Sequence, residues 1–315
     1  AQQNGIKVGN LAAALTTAAV AAPCVLTNAP PRDCLDLTRD TVAATEADAT
    51  TKWPHADIQT PSRTFDARGR TWSLPGTAYA WKLHRDRTAV DACLVGGTIT
   101  TTLDPATTTW DTWHGHTAVI SQKAGTRITG TRLGQVGDGF ALYRDAEDWL
   151  VDGVRVDLAY DDCVEDDAME GGTISDSFFN CGSSFLSATT PNSTYDGTEE
   201  TVTVDGVLAR MVPIPHPFNE ARYGVDRHGG FFKFAERLPV EPWGIPPRLV
   251  VRDSMFRSDT RGAYGARIAG GPNGLPPGST CERVTLIGDG WSPAELASWT
   301  TQCDDLTVGS PADWD

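Results

Sequence analysis

Basic residues are in short supply: 26 lysines and arginines stand against 41 aspartates and glutamates, a net charge of −15 at pH 7. So acidic a chain lacks the positive surface that a sequence-independent nucleic-acid binder or a ligand of anionic membranes needs, and neither partner is expected. No stretch of 18 apolar residues occurs, so no segment has the composition of a membrane-spanning helix. The Gly-x-Ser-x-Gly elbow, the His-Glu-x-x-His zinc motif and any Cys-x-x-Cys pair are also missing. Serine hydrolase, zinc protease and dithiol redox chemistry therefore have no motif to stand on.

What is present begins with an alanine-rich segment, NLAAALTTAAVAAPC. Its threonines and lack of a leading basic cluster argue against a targeting signal, and a start at Ala1 reads as a processed form. Asn10 to Ala22 reads as a short helix capping one end of the fold. Seven cysteines suggest an oxidising compartment and export. Two close pairs are available, Cys24 with Cys34 and Cys281 with Cys303, which leaves Cys93, Cys163 and Cys181 as small buried hydrophobes.

The strongest signal is a repeat. From Thr126, the segments TRITGTRLGQVGDGFALYRDAED, WLVDGVRVDLAYDDCVEDDAMEG and GTISDSFFNCGSSFLSATTPNS align almost without adjustment. A fourth, VTVDGVLARM to RHGGFFKFAE, carries an insertion, and a fifth starts at LVVRDSMFRS. Each opens with alternating apolar and polar residues, at Ile128, Val151, Ile174, Val204 and Val250, and passes a turn residue such as Gly130 or Gly153. Asn-Gly hairpin signals are mostly absent between the runs. A constant period of two or three short strands predicts an all-β right-handed parallel β-helix, a solenoid with an N-terminal helical cap. One domain over 1–315 is expected, with 1–90 as cap and entry segments, 91–290 as coils and the Trp-rich 291–315 as C-terminal cap.

In such a coil, residues one period apart become vertical neighbours. Stacking GDGFAL, DDCVED, GSSFLS and GGFFKF puts Phe140, Cys163, Phe185 and Phe231 in one inward column. Asp138 then meets Asp161 and Asp162 at the preceding turn, and Leu142, Glu165, Ser187 and Lys233 form a second polar row. His114 to His116 should lie one rung before Asp138. Carboxylates on adjacent rungs cannot all ionise independently, so at least one pKa should rise. A raised acid beside an ionised one is the arrangement of a glycosidase. The candidate catalytic residues are thus Asp138, Asp161, Asp162 and Glu165. His116, His228, Lys233 and Trp113 are the candidate sugar-binding residues; Trp110, Trp113 and Trp149 could equally pack in the core. No metal ligand set is assigned and no cofactor is required, although five acids in DDCVEDD are the kind of oxygen-rich group that takes calcium.

GDGF followed one coil later by DDCV resembles the paired catalytic strands of the polygalacturonase family of pectin-degrading glycoside hydrolases, which are right-handed parallel β-helices with the pattern Asn-Thr-Asp-Gly, then Asp-Asp-Cys. The likeness covers about 30 residues. It implies inverting hydrolysis by three aspartates, here Asp138, Asp161 and Asp162, with Asp161 as proton donor. Val136-Gly137 stands where the family has Asn-Thr, and the following rung, NCGSSF, has no histidine where the family has Gly-His-Gly. The resemblance therefore implies an acidic sugar site without implying galacturonan as its substrate.

The expected function is a secreted glycoside hydrolase acting on a polysaccharide. Two alternatives stand beside it: a polysaccharide lyase using Lys233 or His228 as base with calcium, and a non-catalytic carbohydrate-binding coil.

Overall fold

The structure is a computed structural model that describes residues 34, 40–43, 63–74, 79–83, 91–104, 107–143, 145–188, 195–214, 228–234, 245–262 and 271–314. The expected helix over Asn10 to Ala22 and the pairing of Cys24 lie outside these residues. The described chain is all-β, with three parallel sheets of nine, six and nine strands. It visits the sheets in rotation. Arg127–Thr129 joins the first, Arg132–Val136 the second and Asp138–Leu142 the six-stranded third. Trp149–Asp152, Arg155–Ala159 and Asp162–Glu165 then pair onto those three in the same order.

One corner explains why the repeat is so visible. From Cys93–Val95 onward, the residue ending each first-sheet strand is followed by one with a left-handed backbone: Gly96, Gly130, Gly153, Asp176, Gly206, Asp253 and Arg283 all have positive φ. At Gly130 the N–H donates to the Asp152 carbonyl of the next rung, and at Gly153 to the Ser175 carbonyl. Only glycine adopts this conformation without strain, and Asp tolerates it better than most residues. A turn built from one such residue keeps the ladder of parallel strands in step across the corner.

The register corrects two of the expected columns. Ile128, Val151, Ile174 and Val204 do stack, but their next neighbour is Val251, because Val250 pairs with Thr203. Phe140 aligns with Val164 and Leu186, whereas Cys163 lies one position earlier. The polar row is Ala141, Glu165, Ser187 and Lys233, with Ala141 in the place expected for Leu142. A one-residue difference in the corner before Asp138 produces the slip, since period counting weights the turn and the strand alike.

Cysteine pairing also departs from expectation. Cys281 bonds Cys303 as read, but Cys34 bonds Cys93, 59 residues away, and Cys163 bonds Cys181. Where successive turns of chain stack, closeness in sequence is a poor guide to closeness in space. Three disulfides fit an oxidising compartment. Among the described residues, no helix is long and apolar enough to cross a membrane.

A continuous apolar cluster runs inside the sheets from Phe65 to Trp299. Strands Asp40–Ala43, Arg63–Asp66, Thr71–Leu74 and Trp81–Leu83, from the stretch expected to supply cap and entry segments, belong to the three sheets. At the far end, Ser292 and Glu295 form a reciprocal capping box that starts helix Pro293–Gln302. Its Trp299 packs 5.2 Å from Phe256 and 6.1 Å from Phe232, covering the core as the Trp-rich tail suggested. Leu306–Gly309 then adds a last strand beside Val284–Ile287.

Candidate functional site

The site lies where the chain turns from the second sheet into the third. Gly137 sits under the end of the short helix Trp110–His114, where a Cβ would run into the Trp113 and His116 carbonyls. The Asp138 N–H bonds the His116 carbonyl, and the Asp161 N–H bonds the Gly137 carbonyl. Glycine at 137 thus lets the helix approach the corner closely enough to bring the HGH segment onto the acids.

Four acids converge there. Asp138 Oδ2 accepts the Thr117 hydroxyl at 3.0 Å, and its Oδ1 accepts the Asp162 N–H at 3.3 Å. Asp162 accepts Ser184 Oγ at 2.5 Å and Lys233 Nζ at 2.7 Å. His114 Nδ1 donates to Asp161 Oδ2 at 2.9 Å, and the Ser183 side chain bonds the same carboxylate. Glu165 accepts the Tyr143 hydroxyl at 2.5 Å. Single oxygens of Asp138 and Asp161 and a ring nitrogen of His114 lie within 4.8 Å of one another, a spacing that could also hold a divalent cation. Asp138, Asp161 and Asp162 are 1–2% exposed, while the His114 side chain is 60% exposed and is the member of the group that meets solvent.

These neighbours push the acids apart electrostatically. Burial, followed by the charges of Asp161 and Asp162, raises Asp138 well above the usual carboxylate range. Burial also works against Asp161, but Lys233 and the His114 bond outweigh it and hold its carboxyl below the ordinary value. Burial raises Asp162 to about 6 despite Lys233, and burial with Asp138 and Asp167 raises Glu165 well above its usual range. Lys233 is held protonated: burial opposes its charge, yet Asp162 and Asp161 favour it more strongly. The bond to Asp161 likewise raises His114.

All four sequence-predicted acids are therefore brought together, with Lys233 among them. The sugar-binding candidates fare differently. His116 is buried and accepts the Gly137 N–H through Nδ1 at 3.4 Å, so it shapes the corner. Trp113 is 1% exposed and stacks on Tyr160 with centroids 3.9 Å apart, and Trp149 is equally buried. His228, 1% exposed, bonds the Gly229 carbonyl and Ser258 Oγ. His114, Thr117, Tyr143 and Ser184 join the site without having been singled out. Only the position of HGH one rung before Asp138 pointed toward His114.

Asp166 lies beside this group. It is fully buried, its Oδ1 accepts the Glu170 N–H at 3.2 Å, and its Oδ2 has no hydrogen-bond partner among the described residues. Burial, with the charge of Glu170, pushes its carboxyl well above the ordinary value. A folded pKa above the unfolded one means that stability is full below the unfolded value and is lost as pH rises through the folded value. Asp166→Asn keeps the accepting oxygen and cannot ionise. Its melting temperature should match the parent near pH 4 and exceed it at pH 8, by about 2 °C or more. A difference that does not grow with pH would rule out a neutral buried Asp166.

No protein-family model, curated protein or solved structure matches the chain. The likeness to polygalacturonases accordingly rests on the two rungs bearing Asp138, Asp161 and Asp162.

Proposed function

We propose that the chain is a right-handed parallel β-helix acting outside the cell as a glycoside hydrolase on a polysaccharide. The observation that carries this reading is the pairing of Asp138 and Asp161: two carboxyls with oxygens within 4.8 Å, one held protonated and one held ionised. Acid and base in one group are what glycosidic cleavage requires. The environment of Asp161 assigns it the base, in place of the donor role implied by the resemblance. Asp138 protonates the glycosidic oxygen as its bond to the anomeric carbon breaks. Asp161 takes a proton from the water whose oxygen bonds that carbon, so the sum is addition of one water. Lys233 keeps Asp162 and Asp161 charged, and Thr117 orients Asp138.

The resemblance implies inversion; retention, which sets its two carboxyls ~5–5.5 Å apart against ~6.5–9.5 Å, is the other course for the pair. In the retaining case the Asp161 carboxylate attacks the sugar directly. The lyase alternative loses its base, because Lys233 is held protonated and His228 is committed to Gly229 and Ser258. The low exposure of the three aspartates favours one second reading, a non-catalytic carbohydrate-binding coil in which they form a buried polar ladder.

Incubation with a polysaccharide panel, followed by product mass spectrometry and proton NMR, tests these readings. Fragments that each gain one water are expected, and the anomer released first separates water attack from carboxylate attack. Products with an unsaturated end would indicate elimination. Glycan binding without cleavage would favour the ladder.

A further inference from the structure

We propose that the glycan this site accepts is uncharged at the sugar held over Asp138 and Asp161. The inference rests on the hydrolase reading above and concerns the substrate class of the same site. It follows from counting charges that are already committed. Asp138, Asp161, Asp162 and Glu165 lie on adjacent rungs and are at most 7% exposed. Among the described residues, two cationic groups bond any of these four: Lys233 on Asp162 and His114 on Asp161. Each cation is spent on a carboxylate of the protein itself. Asp138 is bonded instead by the Thr117 hydroxyl and a backbone N–H, and Glu165 by the Tyr143 hydroxyl. Among the described residues, no arginine or lysine bonds Asp138 or Glu165.

A uronic acid brings a carboxylate of its own, which is recognised by an uncommitted lysine or a forked arginine. Inserted here, it would bring a further charge into a low-dielectric group whose two bonded cations already serve carboxylates of the protein, and a buried charge without a partner is costly. A neutral sugar reverses the balance, because its hydroxyls are donors and the buried carboxylates are acceptors. The raised values of Asp138 and Glu165 agree, since burial with no bonded cation disfavours their charged forms. The wider chain adds to the effect: at −15 it repels polyanions at long range.

The test compares xylan, arabinan, β-1,4-galactan, β-glucan and carboxyl-reduced polygalacturonate with the uronans polygalacturonate and alginate, by reducing-end release and product mass. At least one uncharged glycan should be cleaved about 100-fold faster or more than any uronan. Binding is read separately with the Asp161→Asn variant by affinity electrophoresis in gels containing each polymer, where retardation by the neutral glycan and none by the uronans is expected. Cleavage of a uronan at a rate equal to or above the best neutral glycan, each cut adding one water, overturns this inference and leaves the hydrolase reading intact. Unsaturated products overturn the hydrolase reading. Retardation by a neutral glycan with no cleavage by the parent protein also overturns hydrolysis, while supporting a neutral ligand for the site. Retardation by uronans alone overturns the neutral ligand directly.

Discussion

Asp161→Asn is expected to lower turnover of a cleaved glycan by about 1,000-fold or more while leaving the three sheets intact. The amide retains an oxygen to accept from His114 and Ser183, so the corner keeps its bonds. What it loses is a charge that can accept a proton or attack carbon. Asp138→Asn should cause a similar loss for the opposite reason, because an amide cannot deliver a proton to the leaving oxygen. The two are distinguishable by pH. With Asp138 raised and Asp161 lowered, the parent's kcat/KM should fall toward alkali as Asp138 loses its proton and toward acid as Asp161 gains one. Residual activity of Asp138→Asn should lack the alkaline fall, and that of Asp161→Asn the acidic one. Normal turnover by Asp161→Asn, with circular dichroism unchanged, would end the assignment.

Lys233→Met should carry the largest stability loss of a single substitution at the site. Lys233 Nζ is 2.7 Å from Asp162, which is 1% exposed, and its side chain is itself only 19% exposed. Removing one partner of a buried pair strands the other, at a cost of about 3–5 kcal/mol. The loss should depend on pH. Without the lysine, burial and the Asp161 charge are opposed on Asp162 by the Ser184 hydrogen bond and no longer by the cation, and its carboxyl rises beyond the value of about 6 that it has beside Lys233. A carboxyl raised in the folded state loses stability as pH rises, so the deficit measured by urea unfolding should be greatest at pH 8 and shrink toward pH 5. Adding Asp162→Asn to Lys233→Met should recover much of it, because no charge is left unpaired. A pH-independent deficit, or none at all, would mean that the ion pair does not set the charge state of the acids.

The architecture was legible because the one left-handed residue per corner leaves a mark in the sequence. Gly130 and Gly153 recur 23 residues apart, and where an Asp stands in their place the apolar alternation before it preserves the phase. The early strands were not legible in the same way. Thr64 pairs with Cys93 and Cys93 with Arg127, steps of 29 and 34 residues against 23 from Ile128 to Val151 and from Val151 to Ile174, so no constant interval reveals them. The disulfides were misread on the same ground: Cys34 and Cys93 have Cα atoms 5.9 Å apart but lie 59 residues apart in sequence. At the site, the meeting of Asp138 with Asp161 and Asp162 followed from the period alone. The roles of His114 and Tyr143 did not: His114 lies before the aligned segments, and Tyr143, though inside the first of them, stands beyond the stacked GDGFAL strand. His114 reaches Asp161 from a helix inserted before the corner, and Tyr143 reaches Glu165 from just beyond its strand.

From its amino-acid order alone, this chain determines a recurring strand and turn, and with it which acids become neighbours across rungs. Those depend on local backbone preference and a periodic apolar face, both of which are written residue by residue. Only the folded arrangement decided which of the acids is charged. That outcome turns on burial and on Lys233 and His114, whose distances from Asp161 and Asp162 no spacing in the chain encodes, and electrostatic energies inside a protein vary steeply with those distances.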